Sequence, residues 1–380
     1  MTYIPQHQLE NLRRYLESGK VLVLYGARRV GKTTLIQRFL ETLPPGSEKV
    51  LFVNGDDIVV RQFLESQSIQ KLRDFVGDHT LLVVDEAQYV QQIGLNLKLL
   101  IDNLPALKII ATGSSSLNLA KDIGEPLTGR KYTLRLFPLA QMEISQIEKV
   151  HESEANLEAR LIYGSYPEVV TTPDNFKRQA YLRELVSAYL YKDILELEGI
   201  RYAQKLVQIL QLLAHQIGRE VSFNELATQL GMSKNTVERY IDLLEKVFVI
   251  YRRNGFSRNL RKEISKNPRY YFYDNGIRNA VIGNFTPLNL RNDVGELWEN
   301  YLITERMKKN EYEQRFRNSF FWRTYDRKEI DLVEEHGGKL FGYEIKWQLR
   351  KTRAPRDWKN AYPGATFLVI HRENYREFII

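Results

Sequence analysis

The sequence predicts an α/β fold built on a parallel sheet, continued by a helical region and a second, smaller α/β domain. Three observations carry this. Short apolar runs at Val21–Tyr25, Val50–Val53, Leu81–Val84 and Lys108–Ala111 alternate with longer helix-like stretches, the rhythm of strands buried on both faces. The first run leads straight into Gly26-Ala27-Arg28-Arg29-Val30-Gly31-Lys32-Thr33, a G-x4-G-K-T loop that opens a helix. The third ends in Asp85-Glu86, and ligands of open parallel sheets sit at the carboxyl ends of strands.

Composition bounds the rest. The 380 residues make two or three domains at ~150 residues each. A chain 43% hydrophobic and 27% charged is globular. The absence of cysteine excludes disulfide scaffolds, cysteine-ligated zinc and thiol catalysis. No apolar run approaches the ~18 residues of a membrane helix, and the first residues lack an apolar signal core. The expectation is therefore a cytoplasmic protein with no membrane partner. Lys and Arg exceed Asp and Glu by 55 − 47 = 8, an excess that fits an anionic partner without requiring one.

The phosphate-binding reading rests on the loop and its flanks. Its glycines let backbone N–H groups at Gly26, Ala27, Arg28, Arg29, Val30 and Gly31 wrap a phosphate, and the following helix, entered at Thr33-Thr34, adds its dipole. Lys32 is placed to reach the β- and γ-phosphates, and the Thr33 hydroxyl to ligate Mg²⁺. Asp85 is placed to hold the Mg²⁺ shell, and Glu86 to act as general base on an attacking water. The run Lys108–Ala111 ends in Thr112-Gly113-Ser114-Ser115-Ser116, small polar residues suited to the γ-phosphate or the water, Ser114 first and Thr112 second. Arg130 is a candidate charge for the transition state, in cis or from a neighbouring subunit of a homo-oligomer; a surface ion pair is the other reading.

These segments, GARRVGKTT, LLVVDEAQ and IIATGSSS, resemble the AAA-type P-loop ATPases of the additional-strand, catalytic-glutamate class. Further matches are Gly164-Ser165-Tyr166-Pro167, Tyr191-Lys192-Asp193-Ile194, Tyr271-Phe272-Tyr273-Asp274-Asn275-Gly276, Trp322-Arg323 and Glu329-Ile330-Asp331. With them the chain is similar to the prokaryotic branch that joins this ATPase to a C-terminal DUF4143 domain. The resemblance implies ATP as the nucleotide.

Between these regions, Phe223–Ser233 reads as a helix, a turn at Gly231 and a cap at Ser233 for a second helix, Lys234–Lys246. That helix turns Val237, Ile241, Leu243 and Leu244 inward and leaves Lys234 and Arg239 outward. Strand-like Val247–Tyr251 and Arg269–Tyr273 flank a loop, and the pattern is that of a winged helix. From 252 to 269 stand seven cations, Arg252, Arg253, Arg258, Arg261, Lys262, Lys266 and Arg269, opposed only by Glu263. Phosphate contacts to DNA, from Lys234, Arg239, Arg258, Arg261 and Lys262, are one reading, and a protein-contact or lid element the other.

Near the C-terminus, Asp331 precedes Leu332-Val333, and thirteen residues later Glu344-Ile345-Lys346 sits in a strand. Glu344 and Lys346 share a strand face. With Glu299 from a helix upstream, Asp331 and Glu344 offer hard oxygens to Mg²⁺ or Mn²⁺, and Lys346 a charge beside the attacking water. The pattern resembles the PD-(D/E)xK, restriction-endonuclease-like superfamily, with Ile330 where the name has proline. Three readings stay open: a nuclease, a nuclease fold that binds without cutting, and a hairpin whose charges face water. The expected order is a P-loop NTPase domain over 1–145, a helical lid or linker over 146–218, a winged helix over 219–275 and a restriction-endonuclease-like α/β domain over 276–380. The expected function is a Mg²⁺-dependent ATPase acting on DNA through a winged helix and a nuclease-like C-terminal domain, its alternative a nucleotide-gated regulatory or scaffolding protein with an inactive nuclease-like module and a protein partner.

Overall fold

The computed structural model describes residues 3–114, 126–187, 203–258, 267–349 and 352–380. The chain divides into two compact units. One is Pro5–Pro138 with Lys246–Phe248; the other is Met1–Ile4 with Leu139–Glu245 and Val249–Ile380. Together they make an α/β protein with a five-stranded parallel sheet and a smaller mixed sheet.

The sheet of the first unit has five parallel strands: β1 (Val21–Gly26), β2 (Val50–Asn54), β3 (Leu81–Asp85), β4 (Lys108–Gly113) and β5 (Lys131–Leu136), in the order β2-β3-β4-β1-β5. Strands β1 and β3 are buried throughout, as continuous apolar runs covered on both faces must be. Strand β4 lies between β1 and β3, so an additional strand separates the loop strand from the Asp85 strand. Because all five run parallel, Gly26, Asp85 and Gly113 emerge at one end of the sheet. The four apolar runs do not announce β5. Its Lys-Tyr-Thr-Leu-Arg-Leu buries only Leu134 and Leu136, the alternation of an edge strand, and such a strand is hidden from a search for solid apolar blocks.

The second unit opens with the short helices Gln141–Ile144 and Val150–Ala155 and continues with helices Leu157–Tyr163, Asn175–Leu185 and Ala203–His215. Tyr189, Leu190 and Tyr191-Lys192-Asp193-Ile194 lie outside the described residues. Next come helices Phe223–Leu230 and Lys234–Lys246, then an antiparallel hairpin of β6 (Ile250–Arg253) and β7 (Arg269–Phe272). The strand expected from Val247 starts later, because Phe248 at φ 60° and a Val249 N–H to Leu244 O bond of 3.1 Å form the exit turn of the helix. The long helix Val294–Tyr312 packs against a mixed sheet ordered β11-β10-β9-β8: β8 (Asn318–Arg323), β9 (Glu329–His336) and β10 (Lys339–Ile345) antiparallel, β11 (Thr366–Ile370) parallel to β10. The parallel step needs a crossover, and helix Arg356–Ala361 lies in it.

One apolar cluster runs through this unit, from Leu157 and Leu161 through Tyr251 and Tyr271 to Trp298, Tyr343 and Phe378. The motifs at 164–167 and 271–276 are a latch within it. Asp274, buried, accepts from the N–H groups of Ser165 at 2.7 Å and Ile277 at 3.2 Å. A Cβ on Gly164 would fall 2.0 Å from Asp274 Oδ1, so only glycine lets the two segments meet. Burial raises the Asp274 carboxyl to about 6, and the backbone N–H bonds oppose the rise.

Candidate active site

The loop after β1 turns through Arg29 at φ 65° and Gly31 at φ 96°, and the helix Lys32–Glu41 starts at once. A left-handed residue at the helix entry is cheap only for glycine. Lys32 is 5% exposed, and its Nζ donates to Gly26 O at 3.0 Å and Ala27 O at 2.9 Å. The ammonium thus lies folded over the mouth of its own loop. Burial pushes it down to about 8, against the pull of Glu86 and Asp85. Gly26, Ala27, Arg28, Arg29, Val30, Thr33 and Thr34 occupy the loop and first helical turn. Arg28 donates to the Tyr89 hydroxyl at 2.6 Å. No spacing in the sequence points to Gln6, whose Nε2 donates to Val30 O at 3.1 Å and so braces the loop from outside.

Thr33 Oγ1 donates to Asp85 Oδ2 at 2.7 Å, and Asp85 Oδ1 accepts from the Thr112 hydroxyl. The Thr112 hydroxyl also accepts from the Glu86 N–H at 3.0 Å. The loop helix, β3 and β4 are thereby joined through one buried carboxylate. Thr33 and Asp85 present hard oxygens side by side, a donor set that fits Mg²⁺. Glu86 is left-handed at φ 51° and heads the 3-10 turn Ala87–Tyr89. Its Oε2 accepts from Gln88 Nε2, which also donates to Ser114 Oγ at 3.1 Å. Ser114 is buried at the carboxyl end of β4; Ser115 and Ser116 lie outside the described residues.

Arg130 needs correction as a cis contact. Its carbonyl accepts from Val21 N–H at 2.9 Å, so it stands at the amino end of β1 and β5, while the loop follows the carboxyl end. Five residue steps of strand, about 17 Å at ~3.3 Å each, separate the two ends. Its guanidinium pairs with Asp102.

A cavity of about 520 Å³ opens in the second unit, lined among others by Arg269, Glu299, Arg323, Glu329, Asp331 and Lys346. Asp331 Oδ2 accepts from Ile345 N–H at 2.7 Å. Lys346 Nζ lies 2.6 Å from Glu344 Oε1 and 4.0 Å from Asp331 Oδ2, so Glu344 and Lys346 do share a face. Glu344 itself does not line the cavity. Glu299 Oε1 accepts from the Tyr271 hydroxyl at 2.8 Å and lies 3.9 Å from Arg269 Nη1. Burial, then the Asp331 charge, raises Glu299 to about 8 and Glu344 to about 7. Burial raises Asp331 as well, with Lys346 opposing. Carboxylates whose charge burial penalises suit a hard cation in kind. In spacing they do not: among the described residues no group of three or more His, Cys, Asp or Glu side chains is close enough to hold a metal ion. Lys346 and Arg269 supply the positive charge instead.

The cationic stretch also divides. Arg269 is 3% exposed, paired with Glu329 at 2.6 Å and stacked 4.4 Å from the Phe321 ring centroid. Arg253, its register partner, is 5% exposed and lies 5.8 Å from the Tyr251 and Tyr271 centroids. These two belong to the interior and not to a wing. Arg258 is exposed beside Tyr362, and Lys234 and Arg239 are outward on their helix, Lys234 3.5 Å from Glu238. Gly231 ends the preceding helix in the left-handed region, and Ser233 Oγ accepts from Thr236 N–H at 3.1 Å. Arg261, Lys262 and Lys266 lie outside the described residues.

Comparison with known proteins adds three family matches: an AAA domain over residues 18–145, a domain of unknown function (DUF8612) over 154–288 and a domain of unknown function (DUF4143) over 294–377. An uncharacterized protein of Haemophilus influenzae is 22% identical over 99% of this chain and 92% of its own. One of Mycobacterium tuberculosis is 27% identical over 88% and 72%. Among solved structures, the replication initiator DnaA bound to AMPPCP and single-stranded DNA is 16% identical, covering 64% of this chain and 90% of that one at a TM-score of 0.33. No helix among the described residues is long and apolar enough to cross a membrane. With its loop, its Asp85-Glu86 strand and its additional central strand, the chain joins an AAA domain to a C-terminal DUF4143 domain.

Proposed function

We propose that the chain is a Mg²⁺-dependent ATP hydrolase that acts on DNA through a winged helix and a nuclease-like C-terminal domain. The carrying observation is the 2.7 Å bond from Thr33 Oγ1 to Asp85 Oδ2, with Lys32 over the loop mouth and Glu86 next in sequence. That arrangement can cradle a triphosphate, and bound Mg²⁺, held by Thr33 and Asp85, would neutralise its charge. Lys32 leaves the two loop carbonyls for phosphate oxygens. Glu86, with one oxygen held by Gln88, uses the other to take a proton from the attacking water. Ser114 donates its hydroxyl proton toward the γ-phosphate.

The DNA part is supported by the helix-turn-helix at 223–246 and the outward Lys234, Arg239 and Arg258. Against cutting stands the ion-paired C-terminal cavity, which favours a nuclease-like module that binds without hydrolysing. A cytoplasmic location and a homo-oligomer are part of the same proposal.

Steady-state hydrolysis and binding of a fluorescent ATP analogue test the ATPase reading. Lys32→Ala is expected to weaken binding at least tenfold, because it removes a phosphate contact. Glu86→Gln is expected to bind normally and turn over about 10²–10⁴-fold more slowly, the range for loss of a general base. Equal turnover by wild type and Glu86→Gln would remove the assignment.

A further inference from the structure

We propose that Gln88 is a positioning residue of the ATP site, which sets the Glu86 carboxylate and the Ser114 hydroxyl at once. The inference rests on the general-base reading of Glu86 and deepens it. Gln88 lies in the 3-10 turn directly after Glu86, and its side chain folds back across the strand ends. One amide serves three bonds: Nε2 donates to Glu86 Oε2 and to Ser114 Oγ at 3.1 Å, and Oε1 accepts from Ser114 N–H at 3.4 Å. Each bond fixes a role.

A serine oxygen that accepts from Gln88 has its own proton free to donate elsewhere. At the carboxyl end of β4 that proton is available to a γ-phosphate oxygen. Glu86, held at Oε2, keeps Oε1 for a water proton. Its left-handed backbone, at φ 51° and ψ 41°, is a conformation that costs a non-glycine residue energy and persists where surroundings enforce it. The Glu86 N–H bond to Thr112 fixes its backbone, and Gln88 fixes the side chain. Base and phosphate contact, on different strands, are therefore set by one residue that need touch neither nucleotide nor water.

The next residue extends the arrangement: Tyr89 OH accepts from Arg28 of the phosphate loop. The three-residue turn thus touches the loop, β3 and β4. Asn54 is the register neighbour of Asp85 on β2, but its Oδ1 accepts from Asp56 N–H at 2.9 Å.

The test uses the full chain with Gln88→Ala, Ser114→Ala and the double variant, reading nucleotide affinity and turnover separately. The expected result is that Gln88→Ala lowers kcat at least tenfold while the affinity for a fluorescent ATP analogue stays within twofold. In the double variant the loss should fall short of the product of the single losses, since both act through one bond network. A Gln88→Ala chain that hydrolyses like wild type overturns the proposal. So does one whose affinity and melting temperature fall together, which would make Gln88 a structural brace. If the wild type itself did not hydrolyse ATP, the reading of Glu86 would fall and Gln88 with it. A working wild type beside an indifferent Gln88→Ala removes Gln88 alone.

Discussion

At the scale of single residues, position along a strand decides chemistry. Lys32, Asp85, Glu86 and Ser114 sit at carboxyl ends and meet; Arg130 sits at an amino end and does not. Its ion pair with Asp102 joins two partly exposed groups, and such pairs are worth roughly 0.2–1 kcal/mol. Arg130→Ala is therefore expected to keep wild-type ATPase activity and to lower the melting temperature only slightly. Mixing Arg130→Ala with Lys32→Ala chains checks the remaining arrangement. If Arg130→Ala alone were inactive and hydrolysis returned in the mixture, Arg130 would be a group that acts across subunits and the expectation would be overturned. The spacing G-x4-G-K-T and the Asp-Glu pair were legible because their chemistry needs those residues consecutively. Gln88 was not: a glutamine two residues past the proposed general base has no spacing rule, and the role proposed for it follows from a side chain that doubles back.

At the scale of elements, runs of one residue type mislead where burial divides them. The cations at 252–269 look uniform in sequence, yet Arg253 and Arg269, register partners on β6 and β7, are buried, while Arg252 and Arg258 are exposed. The edge strand β5 is hard to read for the related reason that half of it is polar. The latch between residues 164–165 and 274–277 gives a prediction at this scale. Asp274→Ala leaves the Ser165 and Ile277 N–H groups buried without their acceptor, at a cost of ~1–3 kcal/mol each before relaxation. Melting should show destabilisation of the second unit by at least ~2 kcal/mol. The carboxyl is also raised from an ordinary 3.8 to about 6, so between these values the folded state binds more protons than the unfolded state. Its contribution to stability is greatest below pH 3.8 and falls as pH rises toward 6. Asp274→Asn should flatten that fall, and an identical pH profile for wild type and Asp274→Asn would refute the assignment.

At the scale of the whole molecule, the proposed ATP site and the proposed DNA-binding surface belong to different compact units, so the two activities should be separable by mutation. Charge reversal at Lys234, Arg239 and Arg258 is expected to weaken DNA binding and to lower the salt slope by roughly 0.9 for each phosphate no longer neutralised. Basal ATPase activity should not change. An unaltered slope would move this surface to a protein-binding role. Incubated with Mn²⁺ and single-stranded, duplex or branched DNA, the wild type is expected to bind without cutting, because Lys346 holds Glu344 and no three-carboxylate set is gathered among the described residues. Metal-dependent cleavage abolished in both Asp331→Ala and Glu344→Ala, with ATPase intact, would show a working nuclease. The motif Asp331…Glu344-x-Lys346 was legible as a spacing, but whether it gathers a metal set depends on Tyr271 and Arg269, which arrive from a distant hairpin.

That hairpin limits where the chain can be divided. The family boundary at residues 288–294 passes between β7 and the long helix, yet Tyr271 holds Glu299 across it and Phe272 N–H donates to Asn300 Oδ1 at 2.8 Å. A gene cut there would leave each product with half a core and raw aromatic faces, ready to aggregate. The two family matches therefore meet inside one packed core, to which residues on both sides of 288–294 contribute.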